Sequence, residues 1–149
     1  MILPVRLYID KVLHMPCDPV TDFTNLQDLA ESMLSTMFEN KGIGLAAPQI
    51  GLAKQLFVAN IEDKSRIIMV ANPKVLCYNK EVGTEEYEGC LSAPNISVKI
   101  KRPTWVEFEY QKLNGEKDKM RLENFDARVF FHEADHIFGR MITDSIYKL

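Results

Sequence analysis

The sequence predicts an α+β fold: antiparallel or mixed β-sheets packed around a central C-terminal helix, with a second helix near the N-terminus. Three observations lead to this prediction. Apolar residues recur with helical spacing early in the chain and again late in it, and short segments of strand type fill the middle. With 149 residues, 46% hydrophobic and 26% charged, the chain is expected to form one globular domain over residues 1–149.

The first predicted helix covers residues 24–39. Its apolar residues recur at intervals of three and four, as on the buried face of an amphipathic helix. They are Phe23, Leu26, Leu29, Ala30, Met33, Leu34, Met37 and Phe38. Thr24 and Gln27 match a capping box at its start, and Gly42 favours termination soon after its end. The next segment, Gly42–Gln49, is too rich in glycine and proline to predict a regular element.

The middle of the chain is predicted to be strands. They are expected at 55–61, 66–71, 74–79, 83–91, 96–101, 104–111 and 117–123. Val106, Phe108 and Tyr110 alternate with polar residues, which is the period of a half-buried strand. Asn114-Gly115 separates the last two segments and predicts a hairpin turn.

The second predicted helix covers residues 125–138, with Asn124 as its cap and Gly139 as its stop. One side of the helix is apolar, and the other carries two histidines. The apolar side consists of Phe130, Phe131, Ala134, Ile137 and Phe138, and the other side of Phe125, Arg128, Val129, His132 and His136. We therefore expect the helix to be buried between layers, with its histidines facing a pocket.

The segment His132–His136 reads HEADH and carries the most specific chemical pattern in the chain. Two histidines four residues apart share one face of a helix, so both imidazoles can reach one metal ion. Glu133 lies beside them, where it can handle the proton of a metal-bound water. This is the HExxH pattern of metal-dependent hydrolysis.

The third metal ligand must come from elsewhere. After His136, the chain offers only Asp144 as an acidic candidate, so an upstream ligand is favoured. Cys90, within the segment Glu88–Ser92, is the candidate, since two imidazoles and one thiolate leave a tetrahedral position open for water. The alternative is that Cys90 is a buried, inert thiol, which is the commoner role of a single cysteine.

Composition excludes several other roles. A net charge of −3 without a block of basic residues disfavours direct nucleic-acid binding. No apolar run approaches membrane-spanning length, and the first ten residues lack the apolar core of a signal peptide. Cys17, Cys77 and Cys90 do not form a disulfide framework, and no role is expected for the first two. We expect a monomer in the cytoplasm, or in an organelle if the chain is a trimmed form.

Three motifs together resemble one family. They are GIGLAAPQIG (Gly42–Gly51), EGCLS (Glu88–Ser92) and HEADH (His132–His136). Their order and spacing are similar to those of peptide deformylases, over about Leu26 to Asp144. The resemblance implies an enzyme of N-terminal processing in protein biosynthesis, which removes formyl from N-formylmethionyl nascent peptides and releases formate. It implies Fe²⁺ as the metal, with Zn²⁺, Ni²⁺ or Co²⁺ able to substitute.

The resemblance also implies catalytic roles. Cys90, His132 and His136 would hold the metal, and a metal-bound hydroxide would attack the formyl carbon. Glu133 would take the proton of the water and deliver it to the leaving amine. The side-chain amide of Gln49, at the end of a rigid turn, and the backbone N–H of Leu91 would stabilise the oxyanion.

Substrate contacts follow from the same resemblance. Gly44 would pair with the peptide backbone as an added strand does. The methionine pocket would be bordered by the ring of His132 and three apolar side chains, which are Ile43, Phe125 and Val129. Asp135 is either a hydrogen-bond partner of His132 or a surface residue.

The chain departs from the family at several positions. Phe131 replaces the usual glutamine, and Ser97 lies near where many relatives carry an arginine at the pocket rim. The chain stops at Leu149, whereas relatives often continue, so ribosome association is expected to be weakened.

Two alternatives remain: a compact HExxH metallopeptidase, which would not need Cys90, and an inactive module that binds peptide N-termini, which would need neither Glu133 nor Gln49.

Overall fold

The computed structural model describes residues 1–80 and 83–145. The described part contains two α-helices, α1 (Leu26–Glu39) and α2 (Asn124–Ile137), and seven strands. The strands are β1 (Gly44–Ala46), β2 (Leu56–Ile61), β3 (Arg66–Tyr78), β4 (Gly83–Cys90), β5 (Ala93–Pro103), β6 (Trp105–Gln111) and β7 (Lys117–Glu123). Short 3-10 turns lie at Lys11–His14, Ala47–Ile50 and Ile142–Ser145. No helix of residues 1–80 and 83–145 is long and apolar enough to span a bilayer.

The strands form two sheets. The larger has five strands in the order β1-β2-β3-β6-β7, and the smaller is the hairpin β4–β5. All paired strands are antiparallel; a parallel pairing occurs only as a single bridge between Asp18 and Lys54 among the described residues. The predicted α+β class is confirmed.

The two helices cover opposite faces of the large sheet, and β2 shows this directly. Leu56 and Val58 pack with the buried face of α1, whereas Phe57, Ala59 and Ile61 pack with α2. Because β2 is covered on both faces, it is apolar almost throughout instead of alternating.

Helix α2 lies between the large sheet and the β4–β5 hairpin. The ring of Phe130 stacks on Phe108 with centroids 4.2 Å apart and meets Phe57 edge-on at 6.0 Å. From another side of the helix, Arg128 donates a hydrogen bond of 2.9 Å to the carbonyl of Ile100 on β5. The expectation of a helix buried between layers is therefore confirmed.

The predicted capping box at the start of α1 is wrong. The helix begins at Leu26, and its N-cap is Asn25 in the left-handed conformation, with φ 62°. The backbone N–H of Thr24 is bonded instead to the carboxylate of Asp22 at 2.9 Å. An Asx-type turn therefore precedes the helix and takes the place of the cap.

The segments predicted as two strands at 66–71 and 74–79 form one long strand, β3. The register shifts between Ala71 and Lys74, where Asn72 has φ 50° and Pro73 follows it. The side chain of Asn72 bonds the backbone N–H and carbonyl of Val20 at 2.7 and 2.8 Å. A bulge anchored by this side chain thus interrupts the pattern without ending the strand.

The ends of α2 agree only partly with prediction. Its N-cap is Glu123, and Asn124 is the first helical residue, with φ 54°. Gly139 ends the helix as predicted, with φ 75° and its N–H bonded to the carbonyl of His136 at 3.1 Å. A Cβ at Gly139 would also lie only 2.7 Å from the carbonyl carbon of Met15, so the turn packs tightly against the N-terminal segment.

Candidate metal centre and peptide cleft

Three potential metal ligands meet where the β4–β5 hairpin contacts α2. Cys90 ends β4, and His132 and His136 lie on successive turns of α2. Their ligand atoms all lie within 4.8 Å of one another, and the Cys90 Sγ is 3.5 Å from the His136 Nε2. One cation can therefore contact all three and keep a fourth position for water or substrate.

A register shift in the hairpin aims Cys90 at the helix. The pairing slips between Glu88 and Cys90, so Cys90 comes to lie opposite Ala93. Gly89 makes no close backbone contact, since a Cβ there would meet only the Ile96 carbonyl, at 3.9 Å. Gly89 instead forms part of the wall of an open cavity.

The buried carboxylate of Glu88 joins the β4–β5 hairpin to α2. It accepts hydrogen bonds from Nε and Nη2 of Arg102 at 2.9 and 3.0 Å, and from Nη1 of Arg128 at 2.6 Å. Its Oε1 also lies 2.9 Å from the His132 Nδ1. Burial opposes the charge, but these contacts prevail and lower the pKa of Glu88 to about 2. Since Glu88 is ionised, Nδ1 of His132 must be the donor, and Nε2 of that ring faces the other ligands.

Asp135 is not the hydrogen-bond partner of His132. Its carboxylate accepts a 2.6 Å bond from Nη1 of Arg102 and lies 3.7 Å from the Arg140 Nε. Asp135 therefore orients Arg102, which in turn holds Glu88. Sequence reasoning missed Glu88, Arg102 and Arg128 as supports of the site, although the glutamate stands two residues before the candidate ligand Cys90.

The two imidazoles have opposite electrostatic environments. Burial disfavours the His132 cation, yet hydrogen bonds to Cys90 and Glu88 outweigh burial and raise the pKa of His132 to about 10. Burial and the neighbouring His132 lower the pKa of His136 well below its ordinary value. A coordinating imidazole must be neutral, so His132 would have to give up a proton to hold a metal ion here.

Glu133 lies at the floor of the cavity against β1. Burial raises its pKa to about 7, an effect that the charge of His132 partly offsets. Its Oε1 is buried and has no hydrogen-bond partner among the described residues. A Cβ at Gly44 would collide with the Glu133 Oε2, so a larger residue there would force this carboxylate to move.

The amide of Gln49 points toward the same centre. The segment Gly42–Gln49, predicted to be irregular, folds as strand β1 followed by a 3-10 turn that holds this residue. The Gln49 Oε1 accepts from the Ala46 N–H at 3.0 Å, which fixes the amide. Its Nε2 donates to Ser92 Oγ at 3.1 Å and lies 3.5 Å from the Cys90 Sγ.

A cavity of about 420 Å³ opens over this centre. Its walls include every residue that the sequence nominated for catalysis or substrate binding. These are Ile43, Gly44, Gln49, Leu91, Phe125, Val129 and Glu133. Cys90 and His132 also line it, and His136 is buried behind them. Phe125 is 57% exposed and lies at the mouth, whereas Val129 is buried in the wall.

The positions that depart from the family lie outside the cavity. Phe131 packs edge-on against Tyr78 and Phe130, with centroids 5.8 and 5.4 Å apart. Ser97 is exposed on β5 and lines no part of the cavity. Cys17 is buried beneath α2, 4.0 Å from the His136 carbonyl. The fold thus keeps Phe131 and Ser97 out of the cavity, whereas the Cys17 thiol packs against the backbone of His136.

The chain is similar to known proteins over almost its whole length. The family model "Polypeptide deformylase" matches residues 2–149. A peptide deformylase of Thermus thermophilus is 42% identical over 163 residues, covering 99% of this chain and 84% of the relative. One of Thermotoga maritima is 41% identical over 143 residues, covering 95% and 85%.

Solved structures agree. The crystal structure of the peptide deformylase from Thermus thermophilus matches with a TM-score of 0.92 and 44% identity, covering 99% of this chain and 87% of that one. The enzyme of Thermotoga maritima matches with a TM-score of 0.92 and 39% identity, covering 97% of each chain.

Proposed function

This chain belongs to the peptide deformylase family, whose members are metal-dependent hydrolases that remove the N-formyl group from nascent peptides, and we propose that Cys90, His132 and His136 hold its metal. The observation that carries the proposal is the convergence of the three ligand atoms beside a buried glutamate. The Glu133 Oε1 lacks a protein partner among the described residues, as expected of an atom that bonds a water at the adjacent ion.

The donor set also bears on the kind of ion. One thiolate and two imidazoles suit the divalent transition metals, and geometry alone does not select one of them. We propose Fe²⁺, with Zn²⁺, Ni²⁺ and Co²⁺ able to occupy the same ligands. When bound, the ion supplies a water of lowered pKa as nucleophile and polarises the formyl oxygen.

Proton transfer falls to Glu133. Its carboxylate accepts the proton of the attacking water and then donates it to the amine that leaves when the formyl C–N bond breaks. A pKa near 7 suits both steps, since a group that titrates near neutral pH can take up a proton and release it. The absence of a side chain at Gly44 leaves room for this carboxylate at the floor of the cavity.

Gln49 and Leu91 are proposed to stabilise the oxyanion. The Gln49 amide is fixed through its oxygen, so its N–H₂ group points toward Cys90 and the reaction centre. Leu91 follows Cys90 directly and lines the cavity, which places its backbone N–H near the same centre. Preorganised donors of this kind stabilise the charge that develops in the transition state.

The substrate is proposed to bind as an added strand. β1 forms one edge of the large sheet and β4 belongs to a two-stranded hairpin, so each has an unpaired edge within the described structure. Gly42–Gly44 and Glu88–Leu91 both line the cavity, so a peptide between them could pair with Gly44. Its methionine side chain would enter the pocket of Ile43, Phe125, Val129 and the His132 ring.

We propose a monomer as the active unit and residues 1–149 as one deformylase domain, since the family model matches residues 2–149. Sedimentation at assay concentration tests the oligomeric state. The function itself is tested by formate release from formyl-Met-Ala-Ser. We expect activity that a chelator abolishes and added Fe²⁺ or Ni²⁺ restores. Chelator-resistant turnover, or none in metal-loaded protein, would contradict the proposal.

A further inference from the structure

We infer that Lys41 selects formylated peptides that carry an acidic side chain at the third or fourth residue. This inference rests on the proposed function, since it names a preference of the same cleft. Lys41 would contribute to the choice of substrate and take no part in the chemistry at the metal.

Lys41 is the only exposed charged residue among those that line the cavity in the described structure. The other three charged residues of the wall, Glu88, Arg128 and Glu133, are each at most 7% exposed. Glu88 is paired with two arginines and His132, so its charge is compensated within the protein. At the mouth of the cleft, within the described structure, a substrate therefore meets one exposed charged side chain, that of Lys41, and it is positive.

The Lys41 ammonium is available for a ligand, because it forms no ion pair with any residue in the ranges 1–80 and 83–145. Its backbone, in contrast, is fixed. Lys41 has φ 56°, and its N–H bonds the carbonyl of Phe38 at 3.0 Å, while the next N–H, of Gly42, bonds Met37 at 2.9 Å. The end of α1 thus holds a free cation at the mouth of the cleft.

The direction of the substrate brings its later residues toward Lys41. Gly44 touches Glu133, so the formyl end lies at Gly44. Residues 41–43 precede β1 and line the cavity from Lys41 to this glycine. An antiparallel peptide advances the opposite way at the same rise, about 3.3 Å per residue. Residues 41–43 form a turn and a bend, so they span at most three extended residues. From there the long side chain of Lys41 can reach the third or fourth residue of the peptide.

Amidated peptides isolate the effect of the side chain. The test compares kcat/KM for formyl-Met-Ala-Asp-amide and formyl-Met-Ala-Asn-amide, which differ in charge but not in shape, and repeats the comparison with the pair at the fourth residue. We expect a preference for Asp of about 1.5- to 5-fold at one of the two positions, as for an exposed ion pair. The preference for Asp should appear as a lower KM with little change in kcat, and it should become smaller at high salt.

Two variants decide whether Lys41 is responsible. Lys41→Glu should invert the Asp/Asn preference, whereas Lys74→Glu, at an exposed lysine outside the cavity, should leave it unchanged. The inference would be overturned if active wild-type enzyme had the same kcat/KM for the Asp and Asn peptides at both positions. It would also be overturned if Lys74→Glu inverted the Asp/Asn preference as Lys41→Glu does. Either result would leave the deformylase function intact. Failure to cleave the Asn peptide at all would count against the proposed function instead.

Discussion

His132 donates its Nδ1–H to the carboxylate of Glu88 at 2.9 Å, and this bond joins a proposed metal ligand to the hairpin that carries Cys90. The bond fixes the tautomer of His132 and directs Nε2 toward Cys90 and His136. Because Arg102 and Arg128 hold Glu88 in turn, the orientation of the ring depends on a buried charge network.

Glu88→Gln should weaken metal binding. The amide keeps the shape of the side chain but loses the charge that makes His132 a better ligand, and such losses cost about 10- to 100-fold in affinity. Competition with a chelator measures the affinity in protein shown by circular dichroism to be folded. Glu86→Gln, at an exposed glutamate on the same strand, is the matched control. Equal affinities for the two variants would remove Glu88 from the site.

Glu133→Ala should retain metal and lose turnover. Its carboxylate is proposed to carry both proton transfers, and general acid–base catalysis contributes about 10²- to 10⁴-fold. Metal analysis and kcat for formyl-Met-Ala-Ser, measured on one preparation, separate the two properties. Near-normal kcat in a metal-loaded variant would exclude the role.

Gln49→Leu should lower kcat by about 10²- to 10³-fold, because an oxyanion donor is lost while the metal ligands stay in place. The amide also bonds Ser92, so the stability of the variant must be measured alongside its kinetics. Gln27→Leu, on the exposed side of α1, serves as the control. An unchanged kcat in stable Gln49→Leu would assign the amide a purely structural function.

Ionisation of Cys17 should lower the free energy of unfolding of the protein as the pH rises in the alkaline range. Burial, together with the charge of Asp18, raises the pKa of Cys17 from 9.0 to about 11. The thiol ionises more readily once unfolded, so its contribution to stability is complete below about pH 9 and is lost as pH rises toward about 11.

The variant Cys17→Ala checks this sign. Between about pH 8 and about pH 10.5, its free energy of unfolding should fall less steeply than that of the wild type. Urea titration at both pH values measures the slopes, and Cys77→Ala, at an exposed cysteine, provides the reference. A steeper fall in Cys17→Ala than in wild type would contradict the assignment.

Periodicity predicted both helices and nearly all strands, because burial on one face leaves a regular apolar pattern. It failed where a side chain replaced a backbone partner. The side chain of Asn72 anchors the bulge that keeps β3 continuous, and the side chain of Asp22 anchors the turn before α1. Neither hydrogen bond leaves a trace in the apolar pattern of the sequence. β1 was missed because a strand of three residues is too short for any period to appear.

The residues of the candidate metal site were easier to predict from the sequence than the charge network around them. Chemistry restricts a metal site to few residue types, so Cys90, His132 and His136 could be nominated from spacing and motif. The charge network could not, since Arg102 meets Glu88 only through the β4–β5 pairing and Asp135 reaches Arg102 only after α2 docks. Long-range ion pairs leave no local pattern along a chain.

The sharpest prediction concerns the group that is removed and the residue that carries it. Ile43, Phe125 and Val129 line an apolar wall that fits an unbranched side chain, and each lost methylene should cost about 1–3 kcal/mol in kcat/KM. Formyl-Met peptides should therefore react at least about 100-fold faster than formyl-Ala peptides. Norleucine, which has the shape of methionine, should react nearly as well.

An acetyl group should be a poor substitute for formyl. Its extra methyl would have to fit between the Gln49 amide, Cys90 and Glu133, where a Cβ added at Gly44 would already collide with the Glu133 carboxylate. An internal peptide bond has a chain on both sides, so it should not enter at all. Rates for formyl-Met, acetyl-Met and unformylated peptides, measured by product release, test this order. Comparable cleavage of all three would identify a peptidase acting through the same metal centre, because only a cleft open at both ends accepts them equally.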